Sequence, residues 1–125
     1  MSKKSVLMSI KPEYANKIFD GTKKYEFRRV IFKNKNIDRV IVYASFPIMK
    51  VIGEFIIGDI LEMEIDELWE ATAAHSGISK DYFKAYYRGK EKGYAIRVAR
   101  YNKYSDPLPL KETFNINPPQ SFQYV

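Results

Sequence analysis

Apolar positions along this chain come in short runs whose period keeps changing. Residues 6–10 are apolar apart from Ser9, the pattern of a short buried strand. Pro12 then stands where the first position of a helix tolerates a missing N–H. Tyr14, Ala15, Ile18 and Phe19 make one apolar stripe, and Gly21 supplies a left-handed residue to end that helix. Residues 23–29 alternate, which predicts an extended segment with Tyr25 and Phe27 on a core face and Lys24, Glu26 and Arg28 on a polar one. After a polar turn over residues 33–38, residues 39–46 are apolar at both parities, as in a strand covered on both sides, and Pro47 stops them. Residues 51–64 read as a long bent strand or hairpin, with Gly53 and Gly58 at the bends.

Two further helices are predicted. Asp66 is the expected N-cap of one, whose stripe is Leu68, Trp69, Thr72 and Ala73, closed by Gly77. Ser79 caps the other, Asp81 suits its N-terminal dipole, Tyr82, Phe83, Tyr86 and Tyr87 form the stripe, and Gly89 ends it. Residues 94–101 read as a strand with Tyr94, Ile96 and Val98 inward and Arg97 outward. Pro107, Pro109, Pro118 and Pro119 then predict an ordered but extended tail pinned by Phe114, Phe122 and Tyr124. The order β-α-β-β-β-α-α-β implies an α+β domain spanning residues 1–125, a strongly curved mixed sheet or small open barrel with three short helices, and not a Rossmann pattern.

With 46% hydrophobic and 29% charged residues, a chain of 125 has enough apolar surface for one core without staples. Its net charge of +6 favours anionic partners such as nucleic acid or phosphate-bearing ligands. The absence of cysteine excludes disulfides, thiolate catalysis and cysteine zinc sites, and the lone histidine, His75, makes no cluster. No metal, dinucleotide pattern or other cofactor is therefore expected. Lys3 and Lys4 precede an apolar run too short for a signal core, and residues 40–49 fall far short of a membrane span, so the expected setting is cytoplasmic and away from membranes, as a monomer.

The most informative stretch is residues 21–29. Glu26 and Arg28 share a strand face, where a guanidinium fork beside a carboxylate can hold a phosphate or base edge, or can form an ordinary surface ion pair. Lys23 adds a cation at the mouth of the strand. Lys80, Lys84, Arg88, Lys90 and Lys92 gather around the third helix, and Arg97, Arg100 and Lys103 follow on the last strand; they form a track for phosphates only where they share a face with the motif. The tyrosine-rich stripe of the third helix fits core packing before base stacking, and His75 fits a surface or capping role.

Gly21-x-Lys23-x-x-Glu26-x-Arg28 resembles the G-x-K-x-x-E-x-R signature of ASCH domains, members of the PUA-like superfamily. Ser9-Ile10-Lys11-Pro12, Val42-Tyr43-Ala44-Ser45, Gly53-Glu54-Phe55 and Pro118-Pro119-Gln120-Ser121-Phe122 are similar to other stretches of these small prokaryotic proteins, so the resemblance covers nearly the whole chain. It implies a PUA-like small mixed β-barrel of about five to six strands and a cleft that takes RNA or a nucleotide, in RNA metabolism or the regulation of transcription or translation. Lys23, Glu26 and Arg28 would line the cleft, with Lys11, Ser45, Gln120 and Ser121 as neighbours.

An enzymatic alternative comes from the same resemblance. Some ASCH proteins are amidohydrolases of N4-acetylcytidine that use the motif lysine, a strand threonine and a carboxylate. Here Glu26 stands where the threonine is wanted, and Thr22 lies in the loop. In an enzyme Lys23 and Glu26 would be the catalytic groups, and in a ribonuclease Lys23, Glu26 and Arg28 would together assist attack by the RNA 2′-hydroxyl. The balance of these features leans towards binding without catalysis, with a protein-interaction module as the remaining reading.

Overall fold

The computed structural model describes residues 5–125, which leaves Lys3 and Lys4 outside the described residues. In chain order the elements are β1 (Ser5–Ile10), α1 (Pro12–Phe19), β2 (Tyr25–Arg28), β3 (Arg39–Ala44), β4 (Lys50–Glu64), α2 (Ile65–Thr72), a 3₁₀ turn (Ala73–His75), α3 (Lys80–Tyr86), β5 (Lys92–Leu108), α4 (Leu110–Phe114) and β6 (Phe122–Tyr124). The strands form one mixed sheet in the order β2-β5-β4-β3-β1-β6. Among the described residues only the β1–β3 pair is parallel, and α1 and β2 lie on the crossover between those two strands.

β3 is buried along almost its whole length, as its apolar residues at both parities require. β4 and β5 are long and bend through register shifts after Val51, Ile56 and Ile57, near both Gly53 and Gly58. The sheet thereby curls into an α+β half-barrel, more open than a closed barrel. Inside it, Val6, Met8, Val40, Val42, Phe55 and Ile96 pack with Ala15 and Ile18 of α1. A second cluster, Phe27, Leu68, Phe83, Tyr87 and Ala95, lies under α2 and α3. Its rings meet edge-on: Phe27–Phe83 centroids are 5.2 Å apart and Phe83–Tyr87 4.9 Å.

Four expectations change. Glu64, not Asp66, occupies the N-cap of α2; Asp66 lies in the first turn and pairs with Lys84 of α3. Ala73 leaves the second stripe for the exposed 3₁₀ turn. There is a fourth α-helix in the proline-rich tail, because Pro109 sits at its N-cap, where no N–H is needed, and Leu110 drops into a pocket with Leu7, Tyr43 and Val51. Strand β5 also runs past residue 101 to Leu108, since the long β4 offers it a partner. Pro107 is tolerated because the register jumps from Gly53↔Lys103 to Val51↔Leu108, leaving no ladder pairing at that position.

A fifth change bears on the site. β2 is an edge strand, yet Glu26 and Arg28 are buried, along with Lys23 just before it. The expected polar, solvated face does not exist there; of the charges predicted on it, only Lys24 is exposed. The curl of the sheet brings β1 opposite β2, and α1 and α3 cover what remains.

Candidate functional site

The motif begins at a turn that glycine makes possible. Gly21 has φ +86°, Asp20 Oδ1 accepts from the Thr22 N–H at 2.9 Å, and Lys17 O accepts from the Lys23 N–H at 3.0 Å. The backbone then enters β2, with the Lys24 N–H donating to His75 O at 2.9 Å and Lys24 O accepting from the Val98 N–H at 2.9 Å. His75 itself is exposed and contributes only its backbone carbonyl.

Lys23 is 2% exposed. Its Nζ donates to Ser76 O at 2.7 Å and lies 4.7 Å from the centre of the Phe27 ring and 5.7 Å from that of Tyr14. Lys17 Nζ donates to the next carbonyl, Gly77 O, at 3.0 Å, so two lysines of the α1–β2 region clamp the turn before α3. Gly77 has φ +71°, and a Cβ there would come within 2.6 Å of the Lys23 stem. Any larger residue would displace the motif lysine. Burial pulls the Lys23 ammonium down to about 8; the Glu26 carboxylate opposes that shift and Lys17 adds to it.

Arg28 spans the seam of the half-barrel. From β2 its Nη2 donates to Ser9 O of β1 at 3.2 Å and its Nη1 to Ser121 Oγ, just before β6, at 3.4 Å. Nε lies 3.4 Å from Glu26 Oε2, and the two side chains are each 10% exposed. That contact is an ion pair without hydrogen-bond geometry: Nε is buried and makes no hydrogen bond. Ser9 is itself fixed, its Oγ donating to Pro119 O at 2.7 Å. The tail is thus tied to the motif through β1.

Around these groups lies a cavity of about 150 Å³. Its walls are Lys23, Glu26, Phe27 and Arg28 from the motif, Ser9, Ile10, Lys11 and Tyr14 from β1 and α1, and Ile78, Tyr82 and Tyr86 from the α3 region. Tyr14 and Tyr82 face each other with centroids 5.3 Å apart, and Lys11 Nζ lies 5.7 Å from the Tyr82 ring. The Tyr86 hydroxyl donates to Phe27 O at 3.1 Å. Burial raises the Tyr14 and Tyr86 phenols, so both stay neutral near pH 7; at Tyr14 its contact with Tyr82 adds to the effect.

Of the residues singled out from sequence, Lys11, Lys23, Glu26 and Arg28 line the cavity, and Ser121 reaches it through Arg28. Ser45 does not line it; its N–H donates to Ile10 O at 3.0 Å. Gln120 is exposed and also outside the lining. Thr22 is exposed as well, its hydroxyl bonded to Asp20 Oδ1 at 2.6 Å on the turn, so it brings no nucleophile to the cavity. Sequence reasoning missed Ser9 and Tyr14 and gave the aromatic stripe of α3 to the core. That stripe splits: Phe83 and Tyr87 are core, while Tyr82 and Tyr86 line the cavity. The local pattern holds no signal for that split, since all three predicted helices carry the same i, i+1, i+4, i+5 stripe. Among the described residues no group of three His, Cys, Asp or Glu could hold a metal ion, and no helix is long and apolar enough to cross a membrane.

Comparison with known proteins gives this geometry a family. The model of the ASCH domain matches residues 8–119. The crystal structure of ASCH from Zymomonas mobilis superposes with a TM-score of 0.90 at 30% identity, covering 99% of this chain and 89% of that one. An ASCH domain-containing ribonuclease of Zymomonas mobilis is 29% identical over 127 residues, 98% of this chain and 85% of that protein. The large ribosomal subunit protein uL22 of Ureaplasma parvum serovar 3 is 32% identical over 124 residues, but the chain spans only 39% of its length. On the match across nearly its whole length, the chain belongs to the ASCH domain family.

Proposed function

We propose that the cavity holds one unit of an RNA strand, a base or a phosphate, and that the protein is an RNA- or nucleotide-binding module. The observation that carries this reading is the convergence of two buried cations, Lys23 and Arg28, with Glu26 on the wall of one cavity. Cations taken out of water at a cavity wall are stabilised when an anionic or carbonyl acceptor meets them. Glu26 holds the guanidinium in place or accepts from an exocyclic amine. The volume of about 150 Å³ is below the ~300 Å³ of clefts that enclose drug-sized ligands, which suits a single base or phosphate. The naming of a 29%-identical relative as a ribonuclease supports RNA as the ligand class.

The test is binding of a labelled single-stranded RNA pool to wild type and to a Lys23→Ala, Arg28→Ala double variant at two salt concentrations, with circular dichroism to check folding and Arg28→Lys as a milder companion. Salt-sensitive binding that is lost in the double variant is expected. Binding that survives there, or that does not respond to salt, overturns the proposal.

One observation favours a second reading, ribonuclease. Lys23 is held near pH 8 beside Glu26, a poise suited to proton transfer during attack by a 2′-hydroxyl. In that case short RNAs would be cut to cyclic phosphate ends, and Lys23→Ala would abolish the cut while Arg28→Lys would only slow it. Intact RNA after prolonged incubation with wild type would dispose of this reading and leave binding untouched.

A further inference from the structure

Behind the motif lies a second and larger groove of about 560 Å³. Gly21 and Lys24 form one bank, Arg97, Arg100 and Tyr101 of β5 the other, and Lys23 borders both this groove and the cavity. Three features set it apart from the rest of the basic surface.

The first is unspent charge. Lys24 and Arg100 are exposed, and neither forms an ion pair among the described residues; only Arg97 is engaged, with Asp59. The second is an aromatic face. Tyr101 is 47% exposed, with its ring edge-on to Phe19 at 6.3 Å. Its hydroxyl lies 3.1 Å from where a Cβ on Gly21 would stand, so the glycine that turns the motif also leaves room for the ring. Cations alternating with an exposed aromatic are what a single strand uses, phosphates on the charges and bases on the ring.

The third feature is the contrast with α3. Lys84, Arg88, Lys90 and Lys92 do gather on one surface, but Glu64, Asp66 and Glu91 share it and Lys84 is paired with Asp66. Four positive charges there face three negative ones, whereas among the described residues no carboxylate lines the groove behind the motif.

We propose that this groove is a track for the phosphate backbone of the same single strand whose base or phosphate enters the cavity, with Lys24 and Arg100 each meeting a phosphate and Tyr101 stacking a base. The inference rests on the nucleic-acid reading of the cavity and extends it to a strand several nucleotides long.

The test measures how a random ten-nucleotide single-stranded RNA, and separately the four nucleoside 5′-monophosphates, bind wild type, Lys24→Ala/Arg100→Ala and Arg28→Ala across a salt series. Each single-strand phosphate contact contributes roughly 0.7 to the slope of log K against log salt, so the Lys24/Arg100 variant should lose about 1.4 of that slope while binding monophosphates as wild type does. Tyr101→Ala should weaken the oligonucleotide several-fold with little change in slope. An unchanged slope in the Lys24/Arg100 variant, with binding lost in Arg28→Ala, overturns the groove and leaves the cavity reading standing. Wild type that binds no RNA overturns both. Polyglutamate competing as well as RNA of equal charge overturns the nucleic-acid assignment in favour of an acidic protein partner.

Discussion

Glu26–Arg28 and Asp66–Lys84 join the same kinds of group in opposite surroundings. The first pair sits in the seam of the half-barrel with each side chain 10% exposed; the second lies between α2 and α3, where Lys84 is 44% and Asp66 84% exposed. At the surface, water screens both partners and holding them together costs side-chain entropy, so such a pair adds little. In the seam, each ion has left water and depends on the other, and Arg28 depends also on Ser9 O and Ser121 Oγ. The seam pair therefore does not arise from packing economy. It keeps a cation and an anion poised at a cavity that a plain apolar seam would have closed, whereas the α2–α3 pair only decorates a contact made by Leu68, Trp69 and Phe83.

This contrast can be broken by substitution. The largest effect is expected for Glu26→Ala, which leaves Arg28 buried without its counter-charge and should cost about 3–5 kcal/mol in urea denaturation at neutral pH. A loss no greater than that of an ordinary surface substitution would mean that water reaches the seam.

Next is the pH dependence of Lys23. Its pKa falls from 10.5 to about 8 on folding, so below pH 8 the folded state bears the full cost of a buried ammonium. Between about 8 and 10.5 the unfolded chain binds a proton that the folded chain has released, and stability from this group rises with pH. Against Lys23→Met, wild type should gain about 3 kcal/mol over that window, read by denaturant titrations at each pH. A gap between the two proteins that stays flat with pH would show that Lys23 is solvated.

Ser121→Ala should be mild. It removes a 3.4 Å bond to one of several Arg28 donors, worth about 0.5–1 kcal/mol, and should reduce RNA binding more visibly than stability. The smallest effect belongs to Asp66→Ala, for which denaturation curves should overlay wild type. A clear loss there would erase the distinction between the two pairs.

Much of the architecture was legible in local pattern. The doubly apolar run of β3, Pro12 opening α1, the Ser79 cap whose hydroxyl accepts from the Tyr82 N–H at 3.1 Å, and the glycines ending α1 and α3 all act within a turn or two of chain. The tail was less legible. The prolines there predict an extended tail, but α4 begins after one and β5 passes through another, where the lost donor is not needed.

The site divides in the same way. Sequence alone determined which residue types the motif strand carries, where the chain turns to present them, and that Glu26 and Arg28 are neighbours. Their burial was decided by the curl of the sheet: alternation assigns two faces to a strand but says nothing of what lies against each. The curl follows from the register shifts in β4 and β5, and it brings Ser9 and Ser121 to Arg28 across 19 and 93 residues of chain. The same long-range closure splits the α3 stripe, placing Phe83 and Tyr87 on the core and Tyr82 and Tyr86 at the cavity. Local pattern fixes what each element can offer, and only non-local packing decides which side of it meets water, core or ligand.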